Sequence, residues 1–218
     1  MTTIRKATWA ARTYSPSTFK AFLDTFDCPI ISTSITSYTL NINVNNIVTV
    51  ALNMDNNRTQ VIYNGTTSNY SMINSYNPAQ MTAICGDTFF YLQFNCDYGA
   101  GRRFCFVYEI ISGKNYFGAV GAGTESSSAH VWYSITDITL KQVENSLNYT
   151  HKKVLSYAAP LNYIDYSSDI LFESGTYASD VIDSNILTCS DVPQDNVITF
   201  NGNNYYSLGP NTLIQLNN

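Results

Sequence analysis

The chain has 218 residues, enough for one large all-β domain or two small ones, and a chain of this size hides roughly 70% of its unfolded surface. Charged residues are 12% of it, about half the usual share, against 44% hydrophobic and 14% aromatic residues with 17 tyrosines, a balance that argues against disorder. The net charge of −5 and the absence of a basic stripe argue against nucleic acid as a partner, and no apolar run approaches the length of a membrane span.

The opening MTTIRKATWAARTYSPSTF has no apolar core of the kind a secretory signal needs, and it reads as an arm. Ser15-Pro16 then reads as a helix N-cap followed by its first residue, where the proline's missing N–H costs nothing. Phe19, Phe22, Leu23 and Phe26 recur at helical spacing, and Cys28-Pro29 is the expected stop, since the residue before proline is pushed out of the α region. Beyond it the pattern turns to period two. Leu40, Ile42 and Val44 alternate with Asn41 and Asn43, and Asn45-Asn46 can take the positive φ angles of a type I′ turn before the chain returns through Ile47 to Leu52. Asn64-Gly65 is the strongest short hairpin signal. FFYLQF (89–94) and FCFVYEII (104–111) are apolar on both faces and belong at the centre of a sheet. GAVGAG (118–123) lacks the Lys-Ser/Thr of a phosphate loop and reads as a flexible turn. VWYSITDITL reads as another alternating strand, and residues 141–152 as a polar connection. Near the end, VITF, Asn201-Gly202-Asn203, YYSL, Gly209-Pro210 and TLIQL form a three-strand meander.

These elements predict an all-β fold, an antiparallel β-sandwich or jelly roll with one short N-terminal helix and a small C-terminal meander. The texture divides it into an arm and helix (1–30), a main sandwich (31–153) and a C-terminal acidic lobe (154–218). Charge follows the same division. Residues 1–20 carry Arg5, Lys6, Arg12 and Lys20 and no acid, whereas from Val154 onward there is no Lys or Arg but Asp165, Asp169, Glu173, Asp180, Asp183, Asp191 and Asp195. Complementary ends of this kind could set register between subunits.

Little in the chain points to catalysis. His130 and His151 have no second ligand at metal spacing. Ser17 and Lys20 match SxxK, a weak pattern whose usual partner motifs are missing, so helix capping is the better account. Arg102-Arg103 beside Asp97 and Glu109 is the densest charge cluster, expected as a salt-bridged hairpin end or a partner-contacting loop. The Asp165/Asp169 and Asp180/Asp183 pairs match no calcium loop. Cys28, Cys85, Cys96, Cys105 and Cys189 contain no CxxC pair and are odd in number, so reduced, buried thiols made in a cytoplasm are expected. Cys96 and Cys105 flank one turn, and a disulfide across it is the alternative for those two. No catalytic, cofactor or metal residue is assigned.

The closing VITFNGNNYYSLGPNTLIQLNN resembles the final meander of tailed-bacteriophage virion structural proteins, and FFYLQF, RRFCFVYEI and NYFGAVGAG are similar in texture to such proteins from low-GC hosts. The resemblance implies a non-enzymatic assembly subunit of the head or tail: a capsid decoration, a collar or tail protein, or a fibre component. It implies partners that are further copies or other virion proteins, and a location in the virion after assembly in the host cytoplasm. A surface of Asn, Ser, Thr and Tyr fits faces that a neighbour covers. The alternative is a carbohydrate- or receptor-binding module of a phage adhesin, with a surface glycan stacked on Trp132, Tyr133, Tyr205 and Tyr206. Candidate partner-binding residues are Arg5, Lys6, Arg12, Arg102, Arg103, Tyr205 and Tyr206.

Overall fold

Short runs in which β-branched residues alternate with amides and hydroxyls build most of this molecule, because such runs fit a pleated, half-buried surface. The computed structural model describes residues 2–69, 75–96, 102–111, 113–122, 133–134, 162–165, 170–173, 186–189, 196–200, 202–209 and 212–216. Among them are one helix and seventeen strands, an all-β architecture. The chain forms two compact units, one of Thr3–Glu109 and Phe117–Ser128, the other chiefly of Ala129–Asn218 with Ile110–Tyr116.

The first unit opens with β1 (Thr3–Trp9) and α1 (Pro16–Leu23). A meander follows: β2 (Ile31–Thr36), β3 (Thr39–Val44), β4 (Val48–Asn53), β5 (Arg58–Tyr63) and β6 (Thr66–Asn69), each hydrogen-bonded to the next in one five-stranded sheet. Two of its four turns are those the sequence predicts; the turns at Ser37-Tyr38 and at 54–57 are not among the predicted ones. Asn45 and Asn46 sit at φ 51° and 57°, and the Ile47 N–H donates back to the Val44 carbonyl at 3.0 Å. Asn64 and Gly65 sit at φ 49° and 77° between paired Tyr63 and Thr66. Leu40, Ile42, Val44, Val48, Val50 and Leu52 are fully buried, while Asn41 and Asn43 face the other way.

The second sheet of this unit runs β1-β7-β8-β9-β10, with β7 (Ala79–Cys85), β8 (Phe89–Cys96), β9 (Arg102–Ile111) and β10 (Lys114–Ala122). β8 is central and buried on both faces, as its apolar run predicts. Residues 3–9, read from sequence as an arm, are an edge strand paired antiparallel with β7, Thr3 opposite Cys85 and Trp9 opposite Ala79. GAVGAG is not a turn as far as Ala122, because Lys114–Ala122 is all strand. Ladder pairing there outweighs the roughly 0.5–1 kcal/mol each strand glycine costs.

α1 begins as predicted. Ser15 caps it: the Thr18 N–H donates to Ser15 Oγ (3.3 Å) and the Ser15 N–H to Thr18 Oγ1 (2.7 Å). It ends at Leu23, before the expected stop at Cys28-Pro29. The N–H groups of Thr25 and Phe26 reach back only three residues, to the carbonyls of Phe22 and Leu23, so the last turn tightens and closes the helix. Phe19, with no exposed surface, packs its ring among Trp9 (5.0 Å between centroids), Tyr14 (5.2 Å) and Phe94 (5.3 Å), tying β1, α1 and β8 together. The two sheets meet where the Tyr63 ring lies 5.0 Å from Phe117 and the Asn45 side-chain N–H₂ donates to Tyr108 Oη at 2.6 Å.

Contrary to the expectation of reduced thiols, Cys28 and Cys85 form a disulfide, Cα–Cα 5.9 Å, between the segment entering β2 and the end of β7. An odd total hid the pair, and nothing local marks residues 57 apart in sequence. The Cys96–Cys105 bond does not form. Register sets Cys105 opposite Gln93 and Cys96 opposite Arg102, and Cys96 remains a buried thiol 3.5 Å from Tyr14 Oη.

The second unit holds a sheet in the order β13-β12-β14-β17-β16-β15, from β12 (Asn162–Asp165), β13 (Ile170–Glu173), β14 (Ile186–Cys189), β15 (Val197–Phe200), β16 (Asn203–Gly209) and β17 (Thr212–Leu216). β12 and β14 run parallel, and the other pairs described in this sheet are antiparallel. The predicted C-terminal meander is β15-β16-β17, turning at Gly202 (φ 77°). A short strand β11 (Tyr133–Ser134) falls within VWYSITDITL, the rest of which, like residues 141–153 and the proposed boundary at 153, lies outside the described residues.

Candidate interaction surface

The five strands β2–β6 contain a single charged residue, Arg58. Cross-strand register sorts their side chains into two faces, since directly paired residues share a face. Val44, Ile42 and Leu40 lie with Ile31, Thr33 and Ile35 on the core side. On the outer side Ser32 pairs Asn43, Ser34 pairs Asn41, and Thr36 pairs Thr39, with Thr49, Ala51 and Asn53 continuing across β4. Amide and hydroxyl groups bond one another there, as where the Asn41 side-chain N–H₂ donates to Thr36 Oγ1 at 3.2 Å. Away from Arg58, which pairs with Asn53 at one end of it, this outer face can hydrogen-bond a neighbour without stripping water from a charge, which is the costly part of covering a polar surface.

The edges of the two sheets differ. β1 exposes Arg5 and Lys6, cationic residues of the sort that guard an edge strand against unwanted pairing. β2 carries ISTSIT, without charge, proline or glycine, and is exposed at Ser32 and Ser34–Thr36. At Thr33 the helix approaches: Thr33 Oγ1 donates to Asp24 Oδ1 (2.6 Å), and Lys20 Nζ donates to Thr33 Oγ1 (3.1 Å) and Asp24 Oδ2 (2.6 Å). The Lys20 ammonium and the Thr33 hydroxyl together hold the Asp24 carboxyl below its usual range. The SxxK pattern therefore builds no nucleophile: Lys20 is engaged with Asp24, and Ser17 Oγ lies 2.7 Å from Ser15 Oγ at the cap.

The residues singled out from sequence are not brought into one site. Arg5 is exposed on β1 with its guanidinium 5.5 Å from the centre of the Phe26 ring, and Lys6 faces the opposite side. Arg12, at φ 63°, donates its backbone N–H to the Ser75 carbonyl (2.7 Å) and stacks 4.7 Å from the Tyr76 ring. Arg102 and Arg103 stand at the start of β9 opposite Cys96 and Asn95; their side chains and Asp97 lie outside the described residues. Glu109 does not join them. It pairs with Phe89 at the far end of the strand, about 20 Å away at ~3.3 Å per residue, and is 1% exposed. Tyr205 and Tyr206 point to opposite faces of β16 and are 3% and 5% exposed, so neither ring is open to a sugar. Trp132, His130, His151, Asp169, Asp180 and Asp183 lie outside the described residues, as does the side chain of Tyr133. Among the described residues no three His, Cys, Asp or Glu side chains gather as a metal site, and no helix is long and apolar enough to cross a membrane.

Three buried phenols have raised pKa values. Burial, then the contact with Cys96, pushes Tyr14 up; burial pushes Tyr108 and Tyr205 up against the opposing bonds of Asn45 and Asn203. Comparison with protein-family models, curated proteins and solved structures finds no match.

Proposed function

We propose that this chain is a non-enzymatic structural subunit of a tailed-bacteriophage virion, a head or tail component that works by contact with further copies or with other virion proteins. The observation that supports the reading is the meander β2–β6, whose outer face is mostly amides and hydroxyls beside Ala51 and Ile62, with Arg58 as the single charge in its strands. A permanently solvated surface gains solubility from mixed charge, whereas interface cores are depleted in Lys and Glu. The resemblance of the C-terminal meander to virion proteins supplies the biological setting. The Cys28–Cys85 bond is compatible with it, since virion surfaces are among the settings where disulfides persist. Such a subunit would fold in the host cytoplasm and oxidise after release.

Quantitative mass spectrometry of purified particles, paired with sedimentation velocity of the isolated chain, tests this. The expected results are a stoichiometric copy number per particle and self-association or binding to particle proteins. A chain absent from particles, or a strict monomer with no affinity for them, refutes it.

A further inference from the structure

The outer edge of β2 has a geometry that selects its own partner. Thr36 and Thr39 close a two-residue hairpin at Ser37-Tyr38 and form its first hydrogen-bonded pair. Pairs alternate from there, so Ser34 and Ser32 also bond to β3, and the N–H and C=O groups of Ile31, Thr33 and Ile35 point away from it. Two bonds at the strand's start agree with this parity. The Asn45 N–H, next to the last β3 residue, donates to the Ile30 carbonyl (2.7 Å), and the Ile31 N–H turns away to the Cys28 carbonyl (3.4 Å).

The sequence Ile31-Ser32-Thr33-Ser34-Ile35 reads the same in both directions. An antiparallel copy centred on Thr33 therefore places Thr33 on Thr33, Ser32 on Ser34 and Ile31 on Ile35. The three outward-pointing residues coincide with the three positions that pair in this register. Thr33 exchanges both bonds with its own copy, and, with the Ile31 N–H given to the Cys28 carbonyl, each outer pair is carried by the Ile35 N–H and the Ile31 carbonyl. A centre at Ser34 or Ser32 pairs only two of the three outward residues, since it sets Ile31 against Ser37 or Ile35 against Pro29. Centres at Ile31 and Ile35 lose Thr33 itself. A two-fold axis at Ile31 would set Thr33 against Pro29, which has no N–H to give. One at Ile35 would set it against Ser37, held at φ 53° by the turn. Charge agrees as well: beside Thr33 each copy brings one Lys20 and one Asp24, partly exposed, so the axis gathers two cations and two anions. Ile35, 41% exposed on the core-side face, would be covered by Ile31 of the second copy.

We infer that two copies of this chain associate through antiparallel pairing of β2 with β2 across a two-fold axis at Thr33, extending each five-stranded meander into a continuous ten-stranded sheet. This is an isologous contact, the same strand on both sides. It names an assembly contact for the subunit proposed above and takes its biological use from that reading.

Sedimentation equilibrium and cysteine cross-linking test it. Proline at residue 35 removes an outward N–H and leaves the ladder to β3 intact, so Ile35→Pro and Ile35→Lys should keep the wild-type circular dichroism. Each should weaken dimerisation about tenfold or more. Thr33→Cys should give a covalent dimer on mild oxidation above the background of the parent chain, because hydrogen-bonded antiparallel partners lie about 5.5 Å apart at Cα. Ser32→Cys, two residues off its own copy, should not. A wild-type chain that stays monomeric at every concentration overturns the pairing. So does an oligomer that neither Ile35 variant weakens, or one in which the Ser32→Cys variant cross-links and the Thr33→Cys variant does not; in those cases the assembly reading stands and a different surface carries it. Loss of the virion reading would show instead as absence from particles, whatever the state of β2.

Discussion

Reduction of the Cys28–Cys85 bond should cost this protein a large part of its stability. The bond closes a loop of 57 residues between the segment after α1 and the end of β7. In the chain-entropy treatment a loop of that length restricts the unfolded state by an amount equivalent to about 4 kcal/mol. Both sulfurs are buried, at 8% and 3% residue exposure, so reduction leaves two thiols in a site already packed around them. At roughly 2–4 °C per kcal/mol for a chain of this size, the melting temperature should fall by about 8–16 °C. Calorimetry with and without a phosphine reductant measures the shift, and a Cys28→Ala/Cys85→Ala variant should reproduce it without reductant. Non-reducing peptide mapping should recover the Cys28–Cys85 peptide. A shift below about 2 °C with the bond verified intact beforehand would refute the loop-entropy argument. Failure to find the cross-linked peptide in oxidised protein would refute the pairing itself.

Phe19→Ala removes a fully buried ring held by Trp9, Tyr14 and Phe94 and should cost about 3–5 kcal/mol in urea unfolding; a loss under about 1 kcal/mol would mean that α1 is not anchored there. Thr59 is fully buried on β5 and its hydroxyl has no partner among the described residues, so Thr59→Val should leave stability unchanged or raise it by about 1 kcal/mol, and a clear loss would reveal a hidden bond. Tyr14, Tyr108 and Tyr205 have pKa values raised by burial. The stability they contribute is complete below their unfolded value near 10 and is lost as pH rises through the folded values. Absorbance at 295 nm should show some of the 17 tyrosines ionising only as the far-UV circular dichroism collapses; uniform titration near pH 10 in intact protein would contradict their burial.

The amino-acid sequence by itself determined what depends on near neighbours. The Ser15–Thr18 cap, the positive φ of Asn45, Asn46 and Asn64, the alternation along β3 and the doubly apolar run of β8 are all local, since each is set by residues within a turn or by a period of two. Tertiary structure decided what depends on partners distant in the chain. Nothing in TIRKATW announces that it will pair with residues 79–85, and Arg5 and Lys6 make it look like a tail until the ladder is seen. Cys28 and Cys85 meet only because β7 ends beside the segment that leaves α1. Glu109 reads as a companion of Arg102 because seven positions are close in sequence, yet a strand carries them to opposite ends of a sheet. Tyr205 and Tyr206 read as exposed rings because composition carries no information about cover, and strand pairing together with packing on both faces of β16 buried them. The order of the letters in Ile31–Ile35 was always visible; its meaning waited on the hairpin, which decides which amides point outward.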